Sequence, residues 1–322
     1  MMSKKVLLIL TGGTISMDHH KDLSNDVIEF QKQHLMNLRH SVLNDIQIDT
    51  HVFLMKPSPH MTPNDMLDLS KFIQSNITKN DYDGFVITHG TDTLEETAFF
   101  LDLYFSQIEI PIIFTGSMRN YSDIAYDGLN NIVSSILVAT HPNSKNKGVL
   151  VVLNDTIHNP YEVTKSHTVS LDTFQSLEFG PIGVVDDLEI VYYRSFQKQF
   201  QLDKPSSLNN NVTIYKTYTG DSGQLLRHFI DFDGVVIEGF GRGNVPPAIV
   251  EHIEFLIKNN VSVMITSRVP KGRPFPTYPY LGGAKQLTEI GCVLSPHLNS
   301  QKARLLLMIA IATHTPIKNL TI

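Results

Sequence analysis

The sequence predicts an α/β protein with a larger N-terminal domain, built on a mostly parallel sheet flanked by helices, and a smaller C-terminal α/β domain. Short apolar runs recur at long intervals along the chain, and helical patterns lie between them. This alternation is typical of parallel sheets, because parallel neighbours need a long crossover connection. The length of 322 residues also exceeds the size at which one hydrophobic core usually stops growing. Two domains are therefore expected.

The apolar runs of the N-terminal half are predicted to be strands. Continuous apolar runs, rather than alternating ones, are typical of strands that are buried on both faces of a sheet. The predicted strands are Val6–Leu10, Val52–Met55, Phe85–Ile87, Ile112–Phe114 and Val149–Leu153.

Two helices of this half have recognisable starts. Thr93 and Glu96 match the capping-box pattern, which predicts a helix beginning at Thr93. Its apolar residues recur at helical spacing, namely Leu94, Ala98, Leu101 and Phe105. A second helix is predicted to start near Asp127-Gly128, where apolar residues again recur on one face.

A polar segment with one proline and an asparagine run, 195–211, is the predicted linker. It separates an N-terminal catalytic domain, 1–194, from a C-terminal domain, 212–322. The α/β rhythm resumes after it, with a strand at Gly234–Ile237, a helix at Pro247–Asn259 and a strand at Val261–Thr266.

Composition excludes several function classes. The formal charge of −6, from 26 basic and 32 acidic residues, argues against a nucleic-acid partner. No stretch approaches the roughly 18 apolar residues that a membrane span requires. The single cysteine, Cys292, has no partner for an internal disulfide and lies in an apolar stretch. We therefore expect a cytoplasmic protein with no membrane partner.

We expect no cofactor and no metal. The glycines after the first strand match neither the dinucleotide-binding nor the P-loop pattern. The adjacent histidines of Asp18-His19-His20 lack the spacing of a preformed metal site, and no cysteine cluster supports one.

Polar or glycine-rich segments follow four of the predicted strands. These segments are Thr11–Thr14, Thr88–Thr93, Thr115–Arg119 and Asn154–Thr156. In an open α/β sheet the carboxyl ends of the strands meet along one edge, where ligands bind. The sequence therefore predicts a ligand site at this edge.

The hydroxyls of this edge suggest nucleophilic chemistry. A threonine hydroxyl is a poor nucleophile unless a base, a charge or an oxyanion site assists it. Asp92, beside Thr91, and Lys165 are candidate helpers, since a lysine amine that lies beside a carboxylate is able to accept a proton. Taken individually, Asp92 also fits a helix cap and Lys165 a solvated loop lysine, and the sequence alone does not pair them.

Six motifs together resemble the bacterial-type L-asparaginases, in particular the cytoplasmic, type I-like ones. The motifs are TGGTI at 11–15, ITHGTDTLEETAFFLDL at 87–103, TGSMR at 115–119, LNDTI at 153–157, VTKSHT at 163–168 and GFGRGNVP at 239–246. They follow one another in the family's order over essentially the whole chain.

This resemblance implies hydrolysis of L-asparagine to L-aspartate and ammonia. It makes Thr14 the nucleophile, which forms a β-aspartyl enzyme, while Thr91, Asp92 and Lys165 relay protons and assist the attack by water. Which threonine acts first has been argued both ways in such enzymes, and we favour Thr14. Backbone N–H groups near Gly13 and Thr91 are expected to hold the oxyanion. The two glycines would then let bare backbone approach the reacting carbonyl.

The resemblance also implies how the amino acid is held. The position matching Ser58 binds the substrate carboxylate, Gly90 and Asp92 help to hold its charged end, and Asn244 reaches the site of a neighbouring subunit. Sites in the family lie between protomers, so a homo-oligomer, dimer or tetramer, is expected.

The sequence departs from the family pattern at three places. No tyrosine occurs between Thr14 and Tyr82, although many relatives carry one on the loop after the nucleophile. Pro59 replaces a polar residue, which puts glutamine recognition in doubt. The aromatic stretch Tyr278–Gly283 either lines a site from the second domain or is a packed loop.

Two other functions remain as alternatives. One is the ammonia-supplying subunit of a tRNA-dependent amidotransferase, which carries an extra N-terminal domain, whereas this chain starts at the first predicted strand. The other is an amino-acid binding or sensing module. Binding alone would not need two hydroxyls and a lysine relay, so the sequence favours the enzyme.

Overall fold

The computed structural model describes residues 3–13, 15, 43–79, 81–198 and 200–320. The chain forms two compact units, 1–199 and 200–322. The predicted linker, 195–211, spans the point of division and stays a prediction.

The N-terminal unit is built on an eight-stranded sheet with the order β10-β9-β6-β5-β4-β3-β1-β2. A separate two-stranded sheet pairs β7 with β8. In chain order the strands are β1 Lys4–Leu10, β2 Ile46–Val52, β3 Gly84–Thr88, β4 Ile112–Thr115, β5 Val149–Leu153, β6 Thr156–His158, β7 Val163–Lys165, β8 Phe174–Ser176, β9 Gly183–Asp186 and β10 Glu189–Tyr192. Strands β1 to β5 pair in parallel, whereas β6, β9 and β10 pair antiparallel. The mostly parallel sheet is confirmed.

Helices flank this sheet. They are α1 Pro63–Lys79, α2 Leu94–Tyr104 and α3 Gly128–Thr140. Ile132 and Ile136 of α3 belong to one core cluster with Val86 of β3. Helix α2 contacts β4 and β5. Every residue of β3, β4 and β5 is buried, as expected for strands that are covered on both faces.

The strand order creates a switch point between β1 and β3. From β1 the chain passes to β2 on one side and returns to β3 on the other. Leu10 at the end of β1 lies opposite Thr88 at the end of β3, and the N–H of Thr11 donates to Thr88 O at 3.2 Å. Ligands of open α/β sheets bind outside the carboxyl ends of strands at such a point.

The second strand differs from its prediction. The expected strand, 52–55, begins where the observed strand, Ile46–Val52, ends. Strand β2 lies at the edge of the sheet, so its residues are largely half-buried or exposed and its pattern is less apolar. The apolar run that follows crosses the end of β1 instead, where the N–H of Phe53 donates to Leu10 O at 2.9 Å.

The predicted capping box is wrong, although the helix does begin at the expected place. Thr93 is the N-cap of α2, but its side chain accepts no capping hydrogen bond. Its hydroxyl instead donates to Ser58 O at 2.8 Å. A tertiary contact has therefore replaced the local one.

The Asn154-Asp155 segment is the turn of a β5–β6 hairpin. Both residues have positive φ, 49° and 58°, which asparagine and aspartate tolerate better than most residues. This turn ends the parallel part of the sheet.

The C-terminal unit contains a four-stranded parallel sheet with the order β11-β12-β13-β14. Its elements are β11 Val212–Lys216, β12 Gly234–Gly239, α4 Val250–Lys258, β13 Ser262–Ser267, α5 Ala284–Glu289, β14 Val293–Leu294 and α6 Ser300–Ala312. The three predicted elements are present, and the predicted helix starts as a 3-10 turn over Pro247–Ile249. The smaller α/β domain is confirmed.

Within the described ranges, no helix is long and apolar enough to cross a membrane. The same ranges hold no group of three or more His, Cys, Asp or Glu that fits a metal ion. Asp18-His19-His20 lies outside them. Cys292 is buried, as expected of a small core residue.

Candidate active site

Three of the predicted catalytic side chains lie in direct contact. The Nζ of Lys165 is 2.9 Å from Thr91 Oγ1 and 2.7 Å from Asp92 Oδ1. Thr91 is buried, the Lys165 side chain is 17% exposed and the Asp92 side chain is 59% exposed. The lysine therefore bridges a buried hydroxyl and a carboxylate that is open to solvent.

This contact decides between the interpretations that the sequence left open. Lys165 is the last residue of β7 rather than a loop residue. Asp92 precedes the N-cap, which is Thr93. A solvated lysine and a helix cap are therefore the wrong descriptions of Lys165 and Asp92.

Ser58 lies beside the same cluster. It is buried, and its hydroxyl oxygen accepts the N–H of Asp92 at 3.2 Å. Its carbonyl accepts the Thr93 hydroxyl, as described above. The neighbouring Pro59 is exposed. Two hydrogen bonds thus join the segment after β2 to the segment after β3.

Two glycines allow the loops after β1 and β3 to touch. A Cβ atom on Gly13 would lie 2.2 Å from the Cα of Gly90, and Gly13 has a φ of +83°. A Cβ atom on Gly90 would lie 2.7 Å from the Ser58 hydroxyl oxygen. Any larger residue at either glycine would push these loops apart. At the switch point, the backbone at Gly13 therefore lies directly against the backbone at Gly90.

Thr14, the predicted nucleophile, lies outside the described residues. Ile15, which follows it in sequence, is fully buried in the core. The hydroxyl of Tyr126 donates to Ile15 O at 2.8 Å. The described neighbours of Thr14, Gly13 and Ile15, are therefore both held by residues from later strands and loops.

His89 connects the segment after β3 to helix α2. It is buried, and complete burial lowers its pKa to about 4, although the hydrogen bond to Gly90 acts in the opposite direction. The neutral ring donates from Nδ1 to Gly90 O at 2.7 Å, because a carbonyl only accepts. Its Nε2 is 3.0 Å from Thr97 Oγ1 on α2.

The segments after β4 and β5 are held by the start of α3. The Asp127 carboxylate accepts the backbone N–H groups of residues 118 and 119 at 3.1 and 3.0 Å. The Asn131 side chain donates to Gly116 O at 2.9 Å and accepts the N–H of Asn154 at 3.0 Å. These bonds fix the positions of the segments after β4 and β5 relative to α3.

Asn244 belongs to the C-terminal unit. Its Oδ1 accepts the N–H of Ala284 at 3.1 Å, and its backbone pairs with Phe240. The predicted role of Asn244 in a neighbouring subunit's site stays a prediction. In the aromatic stretch, Tyr278 and Tyr280 are 44% and 52% exposed and their ring centroids are 5.4 Å apart, and both alternatives for this stretch stay predictions.

Sequence reasoning missed Glu95, His89 and Tyr126. Glu95 accepts the backbone N–H of Lys165 at 2.7 Å, yet a glutamate in the first turn of a helix is usually solvated. His89 was visible only as part of the motif after β3. Tyr126 lies in a polar loop, where no sequence pattern relates it to Ile15.

Two known protein families match the chain, one over each unit. The family described as "Asparaginase, N-terminal" matches residues 5–198, and the "Glutaminase/Asparaginase C-terminal domain" family matches residues 211–321. The chain is 35% identical to an L-asparaginase of Bacillus licheniformis over 97% of both chains. It is 33% identical to L-asparaginase 2 of Escherichia coli over 95% of this chain and 88% of that one.

A solved structure is also similar. The probable cytoplasmic L-asparaginase from Campylobacter jejuni superposes with a TM-score of 0.85 at 29% identity, covering 98% of each chain. Family, relatives and fold agree over both units. The chain belongs to the asparaginase family.

Proposed function

We propose that the protein hydrolyses L-asparagine to L-aspartate and ammonia. The observation that carries this proposal is the contact of Lys165 with both Thr91 and Asp92, at the switch point of a sheet in a chain of the asparaginase family. A sensing module would not need a buried hydroxyl against a lysine amine.

In the first half of the reaction, the Thr14 hydroxyl attacks the side-chain amide carbon of asparagine. A bond forms between this oxygen and the carbon, and the amide C–N bond breaks. The hydroxyl proton leaves with the nitrogen as ammonia, and a β-aspartyl ester remains. Backbone N–H groups near Gly13 and Thr91 hold the oxyanion, a contribution worth about 3 kcal/mol in other hydrolases.

In the second half, water attacks the ester carbon and the bond to Thr14 breaks. Thr91, Lys165 and Asp92 take the proton that this water loses and return one to the Thr14 oxygen. The short distances from Lys165 Nζ to Thr91 and to Asp92 suit such a relay. The reaction needs no metal and no cofactor.

Recognition depends on the charged end of the amino acid. Ser58 binds the α-carboxylate, Gly90 and Asp92 complete the pocket, and Asn244 is supplied by a neighbouring copy in a homodimer or homotetramer. The hydrogen bond from the Asp92 N–H to Ser58 supports this grouping. Pro59 offers no side-chain hydrogen bond, so we expect poor hydrolysis of glutamine.

The proposed location is the cytoplasm, with no nucleic-acid or membrane partner. The net charge of −6 and the single buried cysteine support it.

The test is ammonia release by the purified protein, with L-asparagine and L-glutamine compared side by side. We expect rapid release from asparagine, slow release from glutamine, and none from the Thr14→Ala variant. Folding of that variant is checked by its melting temperature. A folded parent protein that binds asparagine and releases no ammonia would favour the sensing or amidotransferase alternative.

A further inference from the structure

Glu95 is a buried carboxylate in the first turn of α2. It is 4% exposed, although glutamate is almost never buried unless it is paired. Its Oε2 accepts the backbone N–H of Lys165 at 2.7 Å. A hydrogen bond to a charged acceptor is stronger than one between neutral groups. Glu95 therefore ties α2 to the main chain of the lysine.

Strand β7 lies outside the eight-stranded sheet. It pairs with β8 in a sheet of two strands, where Lys165 lies opposite Phe174. The N–H of Ser166 continues this hairpin by donating to Thr173 O at 2.7 Å. An isolated two-stranded hairpin is only marginally stable. The bond from Glu95 comes from outside the hairpin and joins the main chain of Lys165 directly to α2.

The side-chain ion pair is not sufficient for this purpose. The Asp92 side chain is 59% exposed, and ion pairs in contact with water contribute little. The lysine side chain also has four rotatable bonds, so its amine reaches the same partners only if its main chain stays in place.

We propose that Glu95 is a positioning residue of the active site. Its carboxylate holds the main chain of Lys165 so that the amine stays in contact with Thr91 and Asp92. The role of Lys165 rests on the proposed function, whereas the bond from Lys165 N–H to Glu95 does not.

A double-mutant cycle tests whether Glu95 acts through Lys165. We expect Glu95→Ala to lower kcat by about 10- to 100-fold, with KM changed less than about threefold, because a transition-state contact is misplaced. Lys165→Met should lower kcat further, and the double variant should be no slower than Lys165→Met alone. Residues that act as a unit are not additive. Additive losses would show that Glu95 acts elsewhere and would overturn the proposal.

Conservative variants separate the hydrogen bond from the charge. Glu95→Gln keeps an acceptor of the same length and should keep kcat within about threefold of the parent, whereas Glu95→Asp is one methylene too short and should be slow. Glu96→Gln, on the same helical turn, is the control and should leave kcat unchanged. Glu95→Asp also replaces Glu95→Ala if the latter does not fold. A Glu95→Gln variant that melts like the parent but is as slow as Glu95→Asp would refute the proposal.

Hydrogen exchange tests the bond without any substrate. The Lys165 amide should exchange at least about tenfold faster in Glu95→Ala than in the parent, because it loses its acceptor, while amides in β3 should keep their rates. Unchanged exchange at Lys165 would refute the bond. Absence of ammonia release from the parent would refute the proposed function. Hydrogen exchange at Lys165 would still decide whether Glu95 holds the main chain of Lys165.

Discussion

In the N-terminal unit Lys165 joins Thr91 and Asp92, and a similar trio occurs in the C-terminal unit. There Lys216, the last residue of β11, pairs with Glu238 at 2.8 Å, and Thr217 follows it in sequence. The hydroxyl of Thr217 donates to Glu238 O at 2.9 Å, whereas the Thr91 hydroxyl faces an amine.

The two lysines also differ in exposure. The Lys216 side chain is 70% exposed and that of Lys165 is 17% exposed. A threonine, a lysine and a carboxylate at the carboxyl end of a strand therefore occur in two different arrangements in this chain. The two trios differ in the partner of the threonine hydroxyl. The Thr91 hydroxyl contacts the Lys165 amine, whereas the Thr217 hydroxyl donates to a backbone carbonyl.

The largest expected effect concerns the two threonines. Thr91→Val should lower kcat for asparagine by about 1,000-fold or more, since removal of a group in direct contact with the reacting atoms costs about 4 kcal/mol. Thr217→Val removes a structural hydrogen bond, so it should lower the melting temperature and leave kcat near the parent value. Steady-state kinetics and thermal melts of both variants check this. Equal kcat losses would break the distinction between the trios.

The next effect is the pH dependence of stability that His89 causes. Burial lowers its folded-state pKa to about 4, so the unfolded chain binds a proton near pH 6.5 that the folded chain does not. The stability contribution is present above pH 6.5 and is lost as the pH falls towards 4, by about 3 kcal/mol. Urea unfolding of the parent and of His89→Gln between pH 7.5 and about pH 4 measures it. A parent curve parallel to that of the variant would contradict this prediction.

A smaller effect is expected from added methyl groups at two glycines. The Cβ of Gly90→Ala would meet Ser58 at 2.7 Å, and that of Gly84→Ala, at the opposite end of β3, would meet Ala139 O at 2.6 Å. Each variant should lose about 1–3 kcal/mol of stability through overpacking. Only Gly90→Ala should also lower kcat, because its methyl group pushes the loops of the active site apart. Melting temperatures and kcat of both variants provide the check, and an unchanged kcat in Gly90→Ala would contradict this geometry.

The smallest effect concerns two tyrosine hydroxyls. Tyr126→Phe removes the hydrogen bond to Ile15 O and should cost about 1 kcal/mol with a few-fold loss of kcat. Tyr215→Phe removes the bonds to Asp221 in the C-terminal unit and should destabilise at least as much without changing kcat. Parallel kinetics and melts of the two variants decide whether the loop after β1 depends on Tyr126.

Much of the fold could be predicted from the sequence, because a strand that is buried on both faces needs apolar residues at every position and is therefore visible as a continuous apolar run. Strand β5 was predicted to the residue, whereas β2 was misplaced because an edge strand need not be apolar. The capping box failed for a different reason. Thr93 has a partner, Ser58, that is distant in sequence and invisible to a local pattern.

The candidate site was also predictable where the signal is local and unpredictable where it depends on contacts between distant residues. Thr91, Asp92 and Lys165 were identifiable as residue types at strand ends and through the family motifs. Their mutual contact depends on how β7 folds back on α2, and this in turn involves Glu95. A buried glutamate in a first helical turn has the same sequence signature as a solvated one.

The contact between Gly13 and Gly90 has a consequence for the folding pathway. These glycines are far apart along the chain and meet only after β1 and β3 have paired in parallel. Such non-local pairings form late, because the closure of the intervening loop costs entropy before the contact is gained. In a partly folded or newly synthesised chain, the helices would therefore form before the active site does. During refolding, the return of activity would mark the time at which β1 and β3 have paired.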